Sequence, residues 1–177
     1  MKYLYVAAAP EVRLEDRRMV RDRLAGEFGG LVKEMELPSV DFAYDAGRQQ
    51  YGSIEVLHMV LRLCPEDAGK LLAVTDRDLY VPVLTFVFGQ AQLGGRAAVI
   101  SLARLRQEFY ELAPNREVFV DRAGKEALHE TGHMFGLVHC ADRSCAMSLA
   151  TNVRQIDGKQ DAFCAACRAR LRHGLRE

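Results

Sequence analysis

The chain has 177 residues, of which 49% are hydrophobic, so it can bury one compact core without disulfide bonds. Its 24 basic and 24 acidic residues give a formal net charge of zero, which argues against nucleic acid or an anionic membrane as a partner. No apolar run is long enough to span a bilayer. The apolar opening segment superficially resembles a signal peptide, but it is too short and predicts a buried strand instead.

Predicted strands and helices alternate along the first three quarters of the chain. The strands are expected at residues 2–9, 31–37, 70–75, 79–88 and 97–102. The helices are expected at residues 12–28, 48–63 and after residue 115, where Asn115 can cap a long helix. Gly29 and Gly30 end the first helix, and Pro82 within strand 79–88 points to a sheet edge or a bulge. Residues 104–112 form a short helix or an irregular segment, and the C-terminal part is mostly irregular.

The long helix carries the motif that organises the chain, His129-Glu130-x-x-His133-x-x-Gly136-x-x-His139. Two histidines four residues apart place both imidazoles on one helix face, which is the spacing that a single zinc ion needs. Gly136 can adopt a left-handed conformation and end the helix, so that His139 approaches the same ion as a third ligand. Three protein ligands leave one coordination position open, which distinguishes a catalytic zinc from a structural one.

Glu130 directly follows the first predicted ligand, so its carboxylate can lie beside the metal without binding it. There it can accept a proton from a zinc-bound water. The competing interpretation is an ordinary helix with three unrelated histidines. The length of the motif disfavours it, because each further required residue reduces the number of chance matches. The full string is the metzincin signature.

Four of the five cysteines follow the histidine motif in two close pairs. Cys140 and Cys145 are five residues apart, and Cys164 and Cys167 form a C-x-x-C pair. Four thiolates in this arrangement are typical of a closed tetrahedral zinc site, although an iron site has the same ligands. Disulfides and free buried thiols are the alternatives. The odd number of cysteines and their metal-like spacing favour a reducing, cytoplasmic location.

We expect one domain, residues 1–177, with an upper sheet-and-helix lobe at 1–136 and a small lower lobe at 137–177. A lobe of about forty residues builds little core by itself, so a metal that cross-links it is physically sensible. His139 and Cys140 are adjacent in the chain. Binding of Cys140 at one metal site should therefore hold His139 at the other.

Together the two motifs resemble the archaemetzincin (archaelysin) family of metzincin zinc metallopeptidases. The resemblance rests on the histidine motif followed by Cys140-x4-Cys145-x-Met147 and then Cys164-x-x-Cys167. The loop at residues 148–163 is one residue shorter than in the family pattern. Residues 78–82 with 86–91 resemble the edge strand of the family, and residues 99–105 resemble its next strand, whereas the first seventy residues share only the layout.

The resemblance implies an α+β, zincin-like metzincin fold with a twisted mixed sheet, one antiparallel edge strand, an active-site helix and a zinc-clipped C-terminal lobe. It implies that catalytic zinc is bound by His129, His133 and His139, with Glu130 as the general base. It also implies that Met147 forms a methionine turn beneath the metal. The implied ligands of a second, structural zinc, which makes two Zn²⁺ per chain, are Cys140, Cys145, Cys164 and Cys167.

The favoured hypothesis is hydrolysis of peptide bonds by a zinc-bound water that Glu130 activates, with a peptide or protein substrate extended along edge strand 79–88. The sequence does not decide between an endopeptidase and an aminopeptidase. An exopeptidase needs a second carboxylate to hold the free amine, and the sequence does not identify one. The alternative is a zinc-stabilised peptide-binding module with little or no turnover, against which the intact Glu130 argues. A zinc deaminase requires an H-x-E spacing that is missing here. We expect a monomer with no nucleic-acid or membrane partner.

Overall fold

The computed structural model describes residues 2–29 and 31–174, so the predicted helix end at Gly30 lies outside the described residues. The strands are β1 (Tyr3–Ala8), β2 (Val32–Glu36), β3 (Tyr44–Asp45), β4 (Gln50–Gly52), β5 (Ala68–Thr75), β6 (Leu79–Tyr80), β7 (Gly89–Ala91) and β8 (Ala97–Ser101). The α-helices are α1 (Leu14–Phe28), α2 (Ser53–Leu63), α3 (Arg116–Met134), α4 (Val153–Asp157) and α5 (Ala165–Gly174). Short 3₁₀ turns occupy Asp41–Ala43, Ala103–Leu105 and Gln107–Tyr110.

The larger sheet has the strand order β2-β1-β5-β8-β7. Its first four strands are parallel, whereas β7 runs antiparallel to β8 with Gln90 opposite Val99. Helices α1 and α3 pack against each other and against the sheet, and α2 packs against β5, β7 and β8. Every residue of β8 is buried, as expected for a strand of a parallel sheet that helices cover. The predicted mixed sheet with one antiparallel edge strand is confirmed.

The position predicted for that edge strand, residues 79–88, is wrong. Leu79–Tyr80 forms β6 and belongs to a second sheet with the order β3-β4-β6. A turn follows, in which Leu84 N donates to Val81 O at 3.0 Å. Pro82 has no N–H to donate to a sheet, and Arg48 instead bonds the carbonyl oxygens of Pro82 and Leu84. The edge of the larger sheet is β7, which begins only at Gly89.

Two further predictions require correction. The helix predicted at residues 48–63 begins at Ser53, because Gln50–Gly52 forms β4 between β3 and β6. The C-terminal part predicted as mostly irregular contains α4 and α5. Asn152 begins α4 by accepting a hydrogen bond from Gln155 N at 3.1 Å, and Cys164 and Cys167 lie at the start of α5.

Helix α3 passes through the centre of the molecule, and its residues 122–132 are all buried. Asn115 caps its first turn by accepting a hydrogen bond from Val118 N at 3.1 Å, as predicted. The helix ends at Met134, whose carbonyl accepts a hydrogen bond from Lys70 Nζ at 2.7 Å. Gly136 follows with a φ of 85°, the left-handed conformation predicted for it. The chain therefore turns back beside the last turn of the helix. None of the described helices is long and apolar enough to cross a bilayer.

Candidate metal centre and cleft

The three histidines of the motif converge at the end of α3. One ring nitrogen of each lies within 4.8 Å of the others, in the group His129, His133 and His139. The ring of His129 pairs through Nδ1 with Ala146 O at 2.9 Å, and that of His133 pairs through Nδ1 with Leu137 O at 2.7 Å. A carbonyl oxygen can only accept a hydrogen bond, so both Nδ1 atoms carry the proton. The two Nε2 lone pairs then face each other at 3.0 Å.

This arrangement suits a cation. Two lone pairs at that distance repel each other unless a positive charge lies between them. Burial lowers the pKa of His129 and of His133, and partial desolvation lowers that of His139, which keeps the three rings neutral, the form that binds a metal. His139 is exposed, so the group is accessible from the solvent side. The donor set therefore fits zinc, for which imidazole is a preferred ligand.

Glu130 lies beside these rings with only 5% of its surface exposed. Burial raises the pKa of its carboxyl well above the ordinary value, the nearby charge of Glu126 raises it further, and Lys159 opposes both. No described residue donates a hydrogen bond to this carboxylate. Strand β7 approaches it as closely as a glycine permits, because a Cβ at Gly89 would lie 2.6 Å from Glu130 Cγ and 2.8 Å from Val99 O.

The histidines and Glu130 lie in a cleft of about 600 Å³. One wall is the segment from Leu84 to Ala91, which includes β7, and the opposite wall comes from residues 138–139 and 149–151. The floor is helix α3 and includes Glu126, which sequence reasoning missed. The one available signal was its spacing, since Glu126 lies one helical turn before Glu130 on the same face. Burial raises the pKa of Glu126 to about 7, against the opposing charge of Lys159.

The four cysteines predicted to bind a second metal also come together. Their Sγ atoms all lie within 4.8 Å of one another, in the group Cys140, Cys145, Cys164 and Cys167. All four are free thiols, so the disulfide alternative finds no support in the described structure. The backbone N–H groups of Met147 and Cys164 point at Cys145 Sγ from 3.4 and 3.3 Å. The backbone N–H of Cys167 lowers the pKa of Cys164 to about 7. Burial raises the pKa of Cys145 and of Cys167, so a positive charge is needed to hold all four as thiolates, and the convergence of the four sulfur atoms fits a metal ion.

The segment between the two groups connects them. Met147 is fully buried and its Sδ occupies the space where Gly132 lacks a Cβ. Its carbonyl accepts a hydrogen bond from Cys140 N at 2.9 Å. The preceding carbonyl, Ala146 O, pairs with the ring of His129 and also accepts a hydrogen bond from Lys159 Nζ at 3.3 Å. The turn at Met147 is therefore bonded to both donor groups.

Comparison with known proteins identifies the family. A family model described as Peptidase family M54 matches residues 66–173. An archaemetzincin of Methanocaldococcus jannaschii is 43% identical over 138 residues, which cover 76% of this chain and 75% of that protein. An archaemetzincin of Methanopyrus kandleri is 40% identical over 151 residues, which cover 85% of this chain and 81% of that protein. The chain belongs to peptidase family M54.

Solved structures agree with this assignment. The crystal structure of the Methanopyrus kandleri archaemetzincin matches with a TM-score of 0.84 at 33% identity, over 99% of this chain and 97% of that one. A zinc-dependent peptidase from Methanocorpusculum labreanum also matches with a TM-score of 0.84, at 29% identity, over 95% of this chain and 99% of that one. The predicted archaemetzincin resemblance, the metzincin fold and the class of zinc metallopeptidase are therefore confirmed.

Proposed function

We propose that this M54 peptidase hydrolyses peptide bonds with Glu130 as the general base. The zinc would be held by His129, His133 and His139. The observation that carries the proposal is the convergence of three neutral imidazoles beside a buried carboxylate at the floor of a cleft of about 600 Å³. When bound, zinc supplies a Lewis acid that polarises the scissile carbonyl and acidifies a water molecule.

Glu130 would accept the proton of the attacking water and deliver it to the leaving amine. Its raised pKa makes it a stronger base than an ordinary carboxylate. The backbone of β7 at Gly89 packs closely against the Glu130 side chain and restricts its position. The carboxylate is thus oriented by packing, while its oxygens stay available to the water and the amine.

The substrate would lie extended along β7. Phe88 O accepts a hydrogen bond from Ser101 N at 2.8 Å, and Gln92 N donates one to Ala97 O at 3.0 Å, so these even-numbered positions face β8. Because hydrogen-bonding directions alternate along a strand, the backbone groups of Gly89 and Ala91 face the open edge. Both residues line the cleft. A peptide strand added there would pass directly over Glu130.

We further propose that the four-cysteine group binds a structural metal, which would give two metal ions per chain. The thiolates suit zinc and iron alike. In this proposal the chain is one domain with an upper lobe at residues 1–136 and a lower lobe at 137–177, and the second metal stabilises the lower lobe. The free thiols support a cytoplasmic, reducing location. The substrate would be a peptide or a protein.

The substitution Glu130→Gln tests the mechanism, because the amide keeps the shape of the side chain and cannot accept the proton. We expect zinc content to stay unchanged while turnover falls about 10²- to 10⁴-fold, the usual contribution of a general base. Digestion of a peptide library followed by mass spectrometry measures turnover, and elemental analysis measures zinc per chain.

The matched control is Glu117→Gln, which removes an exposed carboxylate from the first turn of the same helix and should leave both quantities unchanged. Wild-type turnover by zinc-loaded Glu130→Gln would remove this residue from the mechanism. A wild-type protein that binds peptides and cleaves none would instead be a peptide-binding module.

A further inference from the structure

Glu126 is a buried carboxylate that the proposed mechanism does not use. Only 4% of its surface is exposed, yet it lines the cleft. Within the described ranges it has neither a hydrogen bond nor an ion pair. The cation whose charge acts on it is Lys159, but the Nζ of that lysine is bonded to Ala146 O at 3.3 Å. A carboxylate in such a position is costly unless a cationic partner approaches it.

The remaining lining of the cleft suits a cationic group carried on an apolar stem. Its rim consists of apolar side chains that are at least half exposed, namely Leu84, Leu93, Val138 and Leu149. Buried Phe88 continues this apolar lining towards the floor, where Glu126 and Glu130 lie one helical turn apart. A long basic side chain satisfies both features, because its aliphatic stem packs on the apolar walls while its charged end reaches the floor.

We propose that Glu126 determines substrate specificity by binding a cationic nitrogen of the substrate. This inference rests on the proposed function, since it assigns a role within the same cleft. Two sources share the required chemistry: the ammonium or guanidinium of a lysine or arginine side chain near the scissile bond, and the free α-ammonium of a peptide. The second source would make the enzyme an aminopeptidase, because Glu126 would be the second carboxylate that such an enzyme needs.

The test measures binding to zinc-loaded Glu130→Gln, so that the result does not depend on turnover. The probes are alanine hexapeptides in which one lysine is moved along the sequence, their norleucine counterparts, and N-acetylated versions of both. We expect the lysine peptide to bind about tenfold more tightly than the norleucine peptide at one position, or the free amine about tenfold more tightly than the acetylated one. Isothermal titration calorimetry gives the Kd values.

The double variant Glu126→Gln/Glu130→Gln should lose this preference while it binds the norleucine or acetylated peptide with an unchanged Kd. A purely structural role would weaken all peptides equally. The proposal is overturned if the preference survives Glu126→Gln. It is also overturned if the protein that retains Glu126 shows no preference for a cation, a result that needs no second variant to fold. Absence of hydrolysis by the wild type, with the preference intact, would reject the proposed reaction and leave this inference standing.

Discussion

Two regions of the molecule meet at the cleft, and different interactions stabilise them. The chain up to Met134 has a five-stranded sheet, three long helices and a large buried apolar core. Residues 137–174 have two helices of 5 and 10 residues and only a few buried apolar side chains, including Ile156, Phe163 and Leu171. The four cysteine Sγ atoms of this region lie within 4.8 Å of one another. The first region can therefore position its side chains by packing, whereas in our proposal the second is stabilised by a metal at the four-cysteine group.

The cleft needs both regions. The first contributes His129, Glu130 and His133 from one rigid helix. The second contributes His139, and also the carbonyl of Ala146 that fixes the ring of His129. Perturbing the second region should therefore affect metal binding at the histidines, whereas perturbing the first far from the cleft should affect stability alone.

The largest effect is expected from Cys164→Ser. It removes one thiolate from the proposed structural metal site, and structural zinc contributes roughly 10–16 kcal/mol in small zinc-binding peptides. We expect loss of the structural metal, a lower Tm, and also lower zinc occupancy at the histidines, because His139 is adjacent to Cys140. Elemental analysis and thermal unfolding measure these quantities.

The control is Cys64→Ser, which alters a cysteine outside the four-cysteine group and should retain both metals. Loss of one metal ion with the histidine site fully occupied would show that the two sites are independent.

A smaller effect, confined to the first region, is expected from Asp16→Asn. Burial alone would raise the pKa of Asp16, but hydrogen bonds from Arg106 and Arg116 outweigh it and hold the pKa below the ordinary value. Removing this buried charge should lower the free energy of unfolding by about 3–5 kcal/mol at pH 7. Zinc content and kcat/KM should stay unchanged. Urea unfolding measures the difference.

The stability difference between wild type and Asp16→Asn should also depend on pH. Because the folded-state pKa is depressed, the stability that Asp16 contributes is present above its unfolded pKa of about 3.9 and is lost as the pH falls through the folded value. The gap between wild type and Asp16→Asn should therefore shrink between pH 5 and pH 3. Exposed Asp22 provides the control, since Asp22→Asn should change little at either pH. A gap that stays constant over this range would contradict the assigned cause.

The smallest change in stability is expected from Gly89→Ala, which acts at the boundary between the cleft and the sheet. The added Cβ would meet Glu130 Cγ at 2.6 Å and Val99 O at 2.8 Å, so β7 or the glutamate must move. We expect a loss of about 1–3 kcal/mol in the free energy of unfolding. Turnover should fall about tenfold or more, because displacement of a catalytic group by a fraction of an ångström is costly.

Gly26→Ala is the matched control, since a Cβ at this position in α1 has no neighbour within 4 Å. It should be neutral or slightly stabilising in a helix. Unchanged turnover in Gly89→Ala would show that β7 does not orient the base.

The parts of this structure that could be predicted are those that local sequence patterns determine. Helix α3, its Asn115 cap and the turn at Gly136 follow from local rules, so the convergence of the histidines could be predicted from spacing alone. The close spacing of the cysteine pairs likewise predicted their grouping. The alternation of strands and helices predicted the sheet-and-helix lobe, and the family resemblance implied its mixed sheet with one antiparallel edge strand.

The elements that were missed are short and depend on tertiary contacts. Strands β3, β4 and β6 have only two or three residues each, too few to show a periodic pattern. The strong β formers between Leu79 and Phe88 suggested a single strand, whereas a turn at Pro82 divides the segment. The depth of Glu126 in the cleft and the close approach at Gly89 depend on how α3 packs against β7. No local pattern in the sequence reports such an approach.

The carbonyl of Ala146 has a consequence for the order in which this enzyme matures. It accepts hydrogen bonds from His129, which precedes it by 17 residues, and from Lys159, which follows it by 13. Translation runs from the N-terminus, so the central helix is synthesised before the carbonyl and the lysine that orient its first imidazole. In the proposed mechanism an incomplete chain lacks a fully formed zinc site, so peptidase activity would appear only after the C-terminal segment has been translated.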